Sequence, residues 1–572
     1  MDVLLLLTAT IFGYILMYRL YGRYIAKRIF NLSDDAKVPS KELEDGIDYV
    51  PTRKEIIFGH HFTSIAGTGP IVGPAIAVIW GWAPAIIWVF LGSIVMGGIH
   101  DFGSLIISMR NQGKSISEYT SKYINPRTKF LFFLVVFLEL WIVIAIFGMV
   151  IAIIFNMYPD SVFPVWMQII VAVALGYYIN KVSKNVTLAT IIAVSFMYLT
   201  VWLGQYMPFT MPGILGIPAT GSWTIILLIY AFIASVLPVT TLLQPRDYIN
   251  AYQLVVAMLL LIIGIFAAAF FSDMHIVAPV YRPNPAEAPS MWPFLFITIA
   301  CGAISGFHSL VSSGTSSKQV KSENDSLFVG YGSMLLEGSL AVIVIIAVSA
   351  GIGLGYEKNG EILTGMSAWS THYSSWTAAQ GLGSKITAFV DGSANMITSS
   401  GISREFALAV MGVFVASFAG TTLDTATRIQ RYITTELFSS LNINIFKNIY
   451  ISTFFAVLTA GILAFSTGAN GNGALALWPL FGAVNQTLAA LALIVITLYL
   501  KSKGAYKWMF AGIPAIFMSI MTLWASIINE IDFFNQNNWL LISVNTIVIF
   551  VVIIILIEGI IQFFRLNRLS NK

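Results

Sequence analysis

The sequence predicts an all-α polytopic membrane protein with about fifteen transmembrane helices, its N-terminus outside and its C-terminus inside. Three observations predict it. The 572 residues are 57% hydrophobic and only 10% charged, with a mean hydropathy of +0.81. A soluble domain carries about a quarter charged residues, whereas hydrocarbon disfavours charge and favours Leu, Ile, Phe and Val. The apolar residues also gather into runs of ~20, the length a helix needs to cross the hydrocarbon. Finally, of the 31 basic residues, all but Arg282, Lys358, Lys385 and Arg404 fall in every second loop or at the C-terminal end, as expected if those face the cytoplasm.

The runs lie near 2–20, 57–80, 83–109, 130–155, 165–180, 186–206, 223–243, 251–272, 292–314, 328–353, 405–425, 448–466, 474–500, 508–528 and 539–563. The first has no basic region before it, and Arg19, Arg23, Lys27 and Arg28 follow it; it reads as a retained span and not as a signal peptide. Lys114, Lys181, Lys184, Arg246, Lys318, Lys321, Arg428, Lys501 and Arg568 mark the inner loops and inner end. One missed span would reverse this pattern halfway along, which supports the odd count. The weaker stretch 384–402 holds Asp391 and several small polar residues, and it reads as a re-entrant or interfacial helix. Residues 28–55 form a mixed-charge inner connector, and 354–384 form an outer loop able to cap an entrance. Neither is long enough for a soluble enzymatic domain.

Several function classes drop out. Cys301 is the single cysteine, so no intramolecular disulfide is possible. Basic residues are scattered through short loops, unlike a nucleic-acid module. Ser108 to Ser115 (SMRNQGKS) looks like a phosphate loop, but Ser108 stands where the first Gly is required and no strand precedes it. Six histidines and one cysteine form no recognisable zinc spacing, so neither metal nor cofactor is expected.

The second run opens with GHHFTSIAGTGPIVGP, from Gly59 to Pro74. Proline removes a backbone donor and glycine weakens a helix, so a break is predicted here. Broken backbone at membrane depth is tolerated only where it is buried in protein or lines a cavity. Half-helix N-termini there attract anions, and freed carbonyls coordinate cations; close packing through small residues is the alternative. His61, Thr63, Ser64, Gly67, Thr68 and Gly69 are therefore candidate substrate contacts. A partner break is predicted in the seventh run, at ASVLPVTT (234–241), with QPRDY following; Ser235 and Gln244 join the candidates, with a simple proline kink as the alternative. Spans two and seven are five apart and run in opposite directions, the relation between the first helices of two inverted five-helix repeats. Spans 2–6 and 7–11 would be those repeats. The chain then divides into 1–55 (first span and loop), 56–206 and 223–428 (the repeats) and 445–572 (four added helices).

Hydroxyls crowd the ninth run, and Ser305, Ser309 and Ser312 beside His308 are candidate cation or substrate ligands, with helix packing their usual role. Ionisable groups inside a membrane cost ~2.5–3.5 kcal/mol each on insertion scales and are functional candidates by default. His60, His61, His100, Asp101, Glu139 and His308 are candidates for a coupling proton; Glu337 shares their depth. Asp424 and Arg428 stand at the spacing of a helical ion pair, read as structural or gating.

The strings GHHFTSIAGTGPIVGPAIAVIWGW, GGIHDFGSLIISMRNQGKSISE, SVLPVTTLLQPRDY, AISGFHSLVSSGTSSKQ, TTLDTATRIQRYI and LWPLFGAVNQTLAALAL span most of the chain. Together they closely resemble the carbon-starvation protein A family of bacterial inner-membrane transporters. The resemblance implies a leucine-transporter-like 5+5 inverted-repeat core of the amino-acid/polyamine/organocation superfamily. It also implies uptake of peptides or pyruvate during nutrient limitation, the latter proton-coupled. The expectation is a proton symporter for a small carboxylate-bearing solute, not an enzyme, in the bacterial plasma membrane, with the bilayer, the solute and protons as partners and no nucleic acid. Sodium coupling, a passive channel, a solute sensor and an intramembrane enzyme built on His100–Asp101 with a metal remain the rivals.

Overall fold

The computed structural model describes residues 2–181, 186–214, 216–504 and 506–570. Lys184 lies outside the described residues, as do the side chains of Lys181 and Arg568. Among the described residues, twelve helices are long and apolar enough to cross a membrane, and a bent pair makes up to thirteen. In chain order these are α1 (Asp2–Ile29), the bent pair α2 (Lys54–Ala66) and α3 (Gly69–Trp80), and α4 (Trp82–Met109). After the short α5 (Ile116–Tyr123) come α6 (Pro126–Met157), α7 (Pro159–Tyr178), α8 (Thr187–Gly204), α9 (Ala219–Val236) and α10 (Leu243–Phe271).

The ninth apolar run is two short helices, α11 (Met291–Thr298) and α12 (Gly306–Gly314). Then follow α13 (Leu327–Leu354), a small hairpin of β1 (Tyr356–Lys358) and β2 (Glu361–Leu363), α14 (Leu382–Thr398) and α15 (Arg404–Ser440). The 16-residue α16 (Ile449–Ala464), α17 (Asn472–Lys501), α18 (Met509–Asn535) and α19 (Trp539–Leu566) complete the chain. Each apolar run of the sequence thus corresponds to a helix or a helix pair. The stretch read as re-entrant or interfacial is α14, whose residues Ile386, Ala388, Phe389 and Val390 are buried.

Helix starts follow their caps. Asn125 accepts from the amides of Arg127 and Thr128 ahead of α6, and Ser403 accepts from that of Phe406 ahead of α15, satisfying donors that no intrahelical carbonyl can reach. Burial then sorts the layers. The apolar window of α17 is 100% enclosed and those of α13 and α15 89%, against 28% for α1 and 33% for α8 and α19. The core is therefore built around α13, α15 and α17, with α1, α8 and α19 at the periphery. α6 and α15 pack along each other through this core.

The expected break at 59–74 is present. Gly67 adopts φ +37°, ψ −152°, a conformation essentially reserved for glycine, and the axis turns by 42° between α2 and α3. Pro70 sits in the first turn of α3, where its missing N–H costs nothing. The break expected in the seventh run is not a break within a span. α9 ends at Val236, Pro238 lies in a turn and α10 begins at Leu243, so the proline separates two complete helices. The second discontinuity lies in the ninth run instead, across 299–305, where Gly302 has φ +87°.

The two breaks meet. A Cβ on Gly69 would overlap the Cys301 side chain, and one on Gly73 would overlap the Thr298 carbonyl; only glycine lets the backbones approach this closely. Each break is also satisfied by two consecutive polar residues of a core helix, as buried backbone groups require. On α15, Thr421 Oγ1 donates to Thr63 O (2.9 Å) and Thr422 Oγ1 to Ser64 O (3.2 Å). On α17, Asn485 Oδ1 accepts from the Phe307 amide (2.9 Å), and Gln486 Nε2 donates to Phe296 O (2.7 Å).

Candidate functional site

Around these crossed breaks lie three buried polar groups. In the first, on α2, His60 Nδ1 is 2.6 Å from Asp247 Oδ2 and its Nε2 is 3.2 Å from Thr315 Oγ1. His61 points elsewhere, as adjacent helical residues must: its Nδ1 meets Ser316 Oγ at 2.8 Å, and its Nε2 has no hydrogen-bond partner. Ser64 Oγ bonds Thr425 Oγ1 at 2.9 Å. The N-terminus of α10 and the segment just after α12 therefore close over α2.

The second group is carried by α4, α12 and α13. Asp101 accepts from two histidines, His100 Nδ1 at 2.8 Å and His308 Nδ1 at 2.9 Å. Nε2 of His308 is turned toward Glu337, 3.4 Å from Oε2. All four side chains are fully buried.

The third group joins α9, α10 and α15. Arg246 Nη1 pairs with Asp424 Oδ2 and donates to the Tyr230 hydroxyl (2.8 Å), which donates to the same carboxylate oxygen (2.8 Å). Gly420 leaves the room that the guanidinium fills. Nε of Arg246 has no hydrogen-bond partner, although a guanidinium has five donors in a fork suited to a carboxylate. Beside it lies a cavity of about 20 Å³ lined by Trp166, Leu227, Tyr230, Arg246, Gly420 and Leu423. That is room for about one water beside the guanidinium.

Asp424 and Arg428 do not pair with each other. Asp424 is held by Arg246, whereas Arg428 Nη1 reaches Asp48 at 2.8 Å and its Nη2 reaches the carbonyls of Ala234 and Leu237. Helical spacing brings two side chains to one face, but a partner on another helix wins where it neutralises a charge that is otherwise buried alone. Asp48, in the loop before α2, also binds Arg431 (3.1 Å) and the Tyr432 hydroxyl (2.6 Å). Burial alone would raise its pKa, but Arg431, Arg428 and Lys318 outweigh that and hold it below its ordinary 3.8.

The other candidates sort as follows. His60, His61, Thr63, Ser64, Gly67, Thr68 and Gly69 are together at the first break. Ser235 and Gln244 serve the α9–α10 turn instead: the Ser235 carbonyl accepts from Arg431, and Gln244 donates to Thr52 and Gln319. Ser305 bonds Asn485 and Ser309 bonds the Gly306 carbonyl, which are packing roles, while Ser312 Oγ is buried without a partner. Glu139 is buried in α6 with neither carboxylate oxygen hydrogen-bonded. Sequence reasoning missed Tyr230, Asp247 and Asp48, and it used Arg246 only as an inner-loop charge. Its signal was the contiguous QPRDY string, whose Arg and Asp are adjacent yet both buried.

The carbon starvation protein CstA family model matches residues 2–525. A peptide transporter CstA of Bacillus subtilis is 33% identical over 516 residues, covering 86% of this chain and 84% of its own. One from Campylobacter jejuni is 31% identical, covering 91% and 79%. The pyruvate/proton symporter BtsT of Escherichia coli is 30% identical, covering 92% and 81%. Among solved structures, MhsT in complex with L-phenylalanine overlays with a TM-score of 0.46 at 13% identity, covering 89% of this chain and 98% of that one. An Eremococcus coleocola manganese transporter mutant gives 0.41 at 12%, covering 92% and 99%. By the family match and the relatives' shared length, this chain is a member of the carbon starvation protein CstA family, a family of transporters and not of enzymes.

Proposed function

We propose that the protein is a secondary transporter of the bacterial plasma membrane that takes up a small carboxylate-bearing nutrient, a peptide or pyruvate, together with a proton. The observation that carries this reading is Arg246, a buried guanidinium held by the Asp424 carboxylate, the Tyr230 hydroxyl and, at 3.5 Å, the Gly420 carbonyl, beside a small cavity and with its Nε to spare. Such a fork binds a solute carboxylate bidentately. Asp424 occupies it in this structure. Protonating Asp424 removes its claim on Arg246, so the arriving carboxylate and the proton enter as a neutral pair, avoiding the cost of a second unpaired buried charge. Glu139, His60, His61, His100, Asp101 and His308 remain further stations for that proton, and the amides near Gly67–Gly69 further contacts for the solute.

The architecture supports alternating access by an inverted repeat. Each broken helix is followed by one full span, one shorter helix and a long helix: α4, α5 and α6 after the first, α13, α14 and α15 after the second. The two long helices pack on each other. This order favours a first repeat opening at α2, as the sequence suggests, and a second opening at α11, not at 223. α9 and α10 are then inserted between them, with α1, α18 and α19 added outside. The N-terminus lies outside and the C-terminus inside in this reading.

The test is uptake of labelled pyruvate and of a dipeptide into proteoliposomes under an inward proton gradient without sodium. Accumulation that an uncoupler collapses supports the reading. Accumulation that needs sodium replaces the proton by that ion, and flux that only equilibrates makes the protein a passive facilitator.

A further inference from the structure

Cys301, His308 and Glu337 come from three places, the second break, α12 and α13, yet Sγ, an imidazole nitrogen and a carboxylate oxygen lie within 4.8 Å of one another. The arrangement is not what packing alone calls for. His308 Nε2 and both oxygens of Glu337 are fully buried without a hydrogen bond of normal geometry, although each can lower its energy greatly by finding a partner. The Gly302 amide and His308 Nε2 face the carboxylate, Nε2 at 3.4 Å from Oε2. Glycine at position 69 leaves the space that the Cys301 side chain occupies.

The histidine is also set for coordination. Nδ1 lies 2.9 Å from Asp101 Oδ2, which turns Nε2 toward Glu337 and Cys301. A carboxylate holding the far nitrogen of a histidine is the usual support of a metal-bound imidazole. Asp101 is itself fixed by His100 on its other oxygen.

We propose that Cys301 Sγ, His308 Nε2 and Glu337 bind one divalent first-row transition metal ion, zinc by ligand type, with Asp101 orienting the imidazole. A thiolate, an imidazole and a carboxylate are all zinc ligands, at ~2.0–2.3 Å. Tetrahedral ligand atoms at those distances stand roughly 3.3–3.8 Å apart, so a spread of up to 4.8 Å closes by side-chain rotation. The charges balance as well: the dication cancels one thiolate and one carboxylate, the thiol proton leaving as the ion binds. Cys301 keeps some surface. Three protein ligands leave a fourth position for a water or the Gly302 region, and the ion would tie the second break to α13.

The measurement uses the full chain in detergent, its affinity tag removed, stripped with a chelator and titrated with Co²⁺, followed by competition with Zn²⁺. The expected result is one Co²⁺ per chain with a thiolate-to-cobalt charge-transfer band that zinc abolishes. Cys301→Ser, close in size, removes the band. Glu337→Gln weakens binding, and Asp101→Asn weakens it by about 10–100-fold while keeping the band. Absence of saturable binding to the wild type overturns the proposal, as does a band that survives Cys301→Ser or an affinity unchanged in Glu337→Gln. Uptake by the same preparation is scored separately, so proton-driven accumulation by a chain that binds no metal refutes the metal site and leaves the transport reading standing.

Discussion

The pair between Arg246 and Asp424 makes the sharpest demand on measurement. Both are buried in the core, 3% and 0% exposed, so water cannot replace a lost partner. Removing one member of a buried ion pair costs about 3–5 kcal/mol, whereas replacing both by apolar residues of similar volume is near neutral or even stabilising by about 1–4 kcal/mol. Arg246→Met and Asp424→Leu are therefore each expected to cost roughly 3–5 kcal/mol, and the double variant far less than their sum. The assay is the fraction of protein that remains monodisperse in detergent after heating, for wild type, both singles and the double. Uptake separates stability from function: the double variant regains stability but has no guanidinium for the solute carboxylate, so it stays inactive. Additive losses in the double variant would refute the buried pair. Recovery of uptake with recovery of stability would show that Arg246 binds no solute, and would sink the role assigned to it.

Three further outcomes are expected. Gly67→Ala forces a side chain into φ +37° with its Cβ 2.8 Å from Thr422 Oγ1; about 1–3 kcal/mol of backbone strain plus that clash should lower the melting temperature, and adding Thr422→Ala should restore only part of it. A Gly67→Ala protein as stable as wild type would contradict the backbone conformation of the break. Asp48→Asn strands two buried guanidiniums and should cost up to about 3–5 kcal/mol, less what the 15% exposure of Asp48 lets water restore; because its folded pKa is depressed, the same stabilisation is present above pH ~4 and lost as pH falls below it, which a melting series in acid detects. His372 in the loop between β2 and α14 is held down to about 4 by burial and then by Lys358. Its unfolded form takes a proton near 6.5, so stability should fall as pH drops from about 6.5 to about 4, by at most ~3 kcal/mol, and His372→Gln should flatten that slope.

How legible all this was in the sequence depends on what kind of force sets each feature. Helix positions were legible because solvent sets them: a helix that crosses hydrocarbon needs about 20 predominantly apolar residues. The first break was legible because its cause is local, with Gly67, Gly69 and Pro70 adjacent in the chain. The second was not, because 299–305 contains one glycine and no proline. Its backbone leaves the helix where Asn485 and Gln486, far along the chain, offer bonds in place of the intrahelical ones. Pro238 misled for the opposite reason, since a proline marks where a helix stops without saying whether the membrane stops there too.

The charged partners divide along the same line. A spacing of four places Asp424 and Arg428 on one helical face, which made them look like a pair. Each chose instead the charge that would otherwise be buried alone, Arg246 in one case and Asp48 in the other. In a core this dry an unpaired charge costs more than any local preference contributes, so partners are assigned by burial and not by distance along the chain. The same reasoning connects the two breaks. Freed backbone groups at Gly67 and Gly302 are as costly as charges at that depth, and each is answered by a polar pair on a core helix, Thr421–Thr422 on α15 and Asn485–Gln486 on α17. A break held in this way can shift only if those helices release it. The breaks α2–α3 and α11–α12 are therefore tied by hydrogen bonds to α15 and α17, and α15 also carries Asp424 and Arg428. One helix thus holds a break, the carboxylate that pairs with Arg246 and the arginine that pairs with Asp48 in the loop before α2; in the proposed mechanism a change of charge at Asp424 acts on all three together.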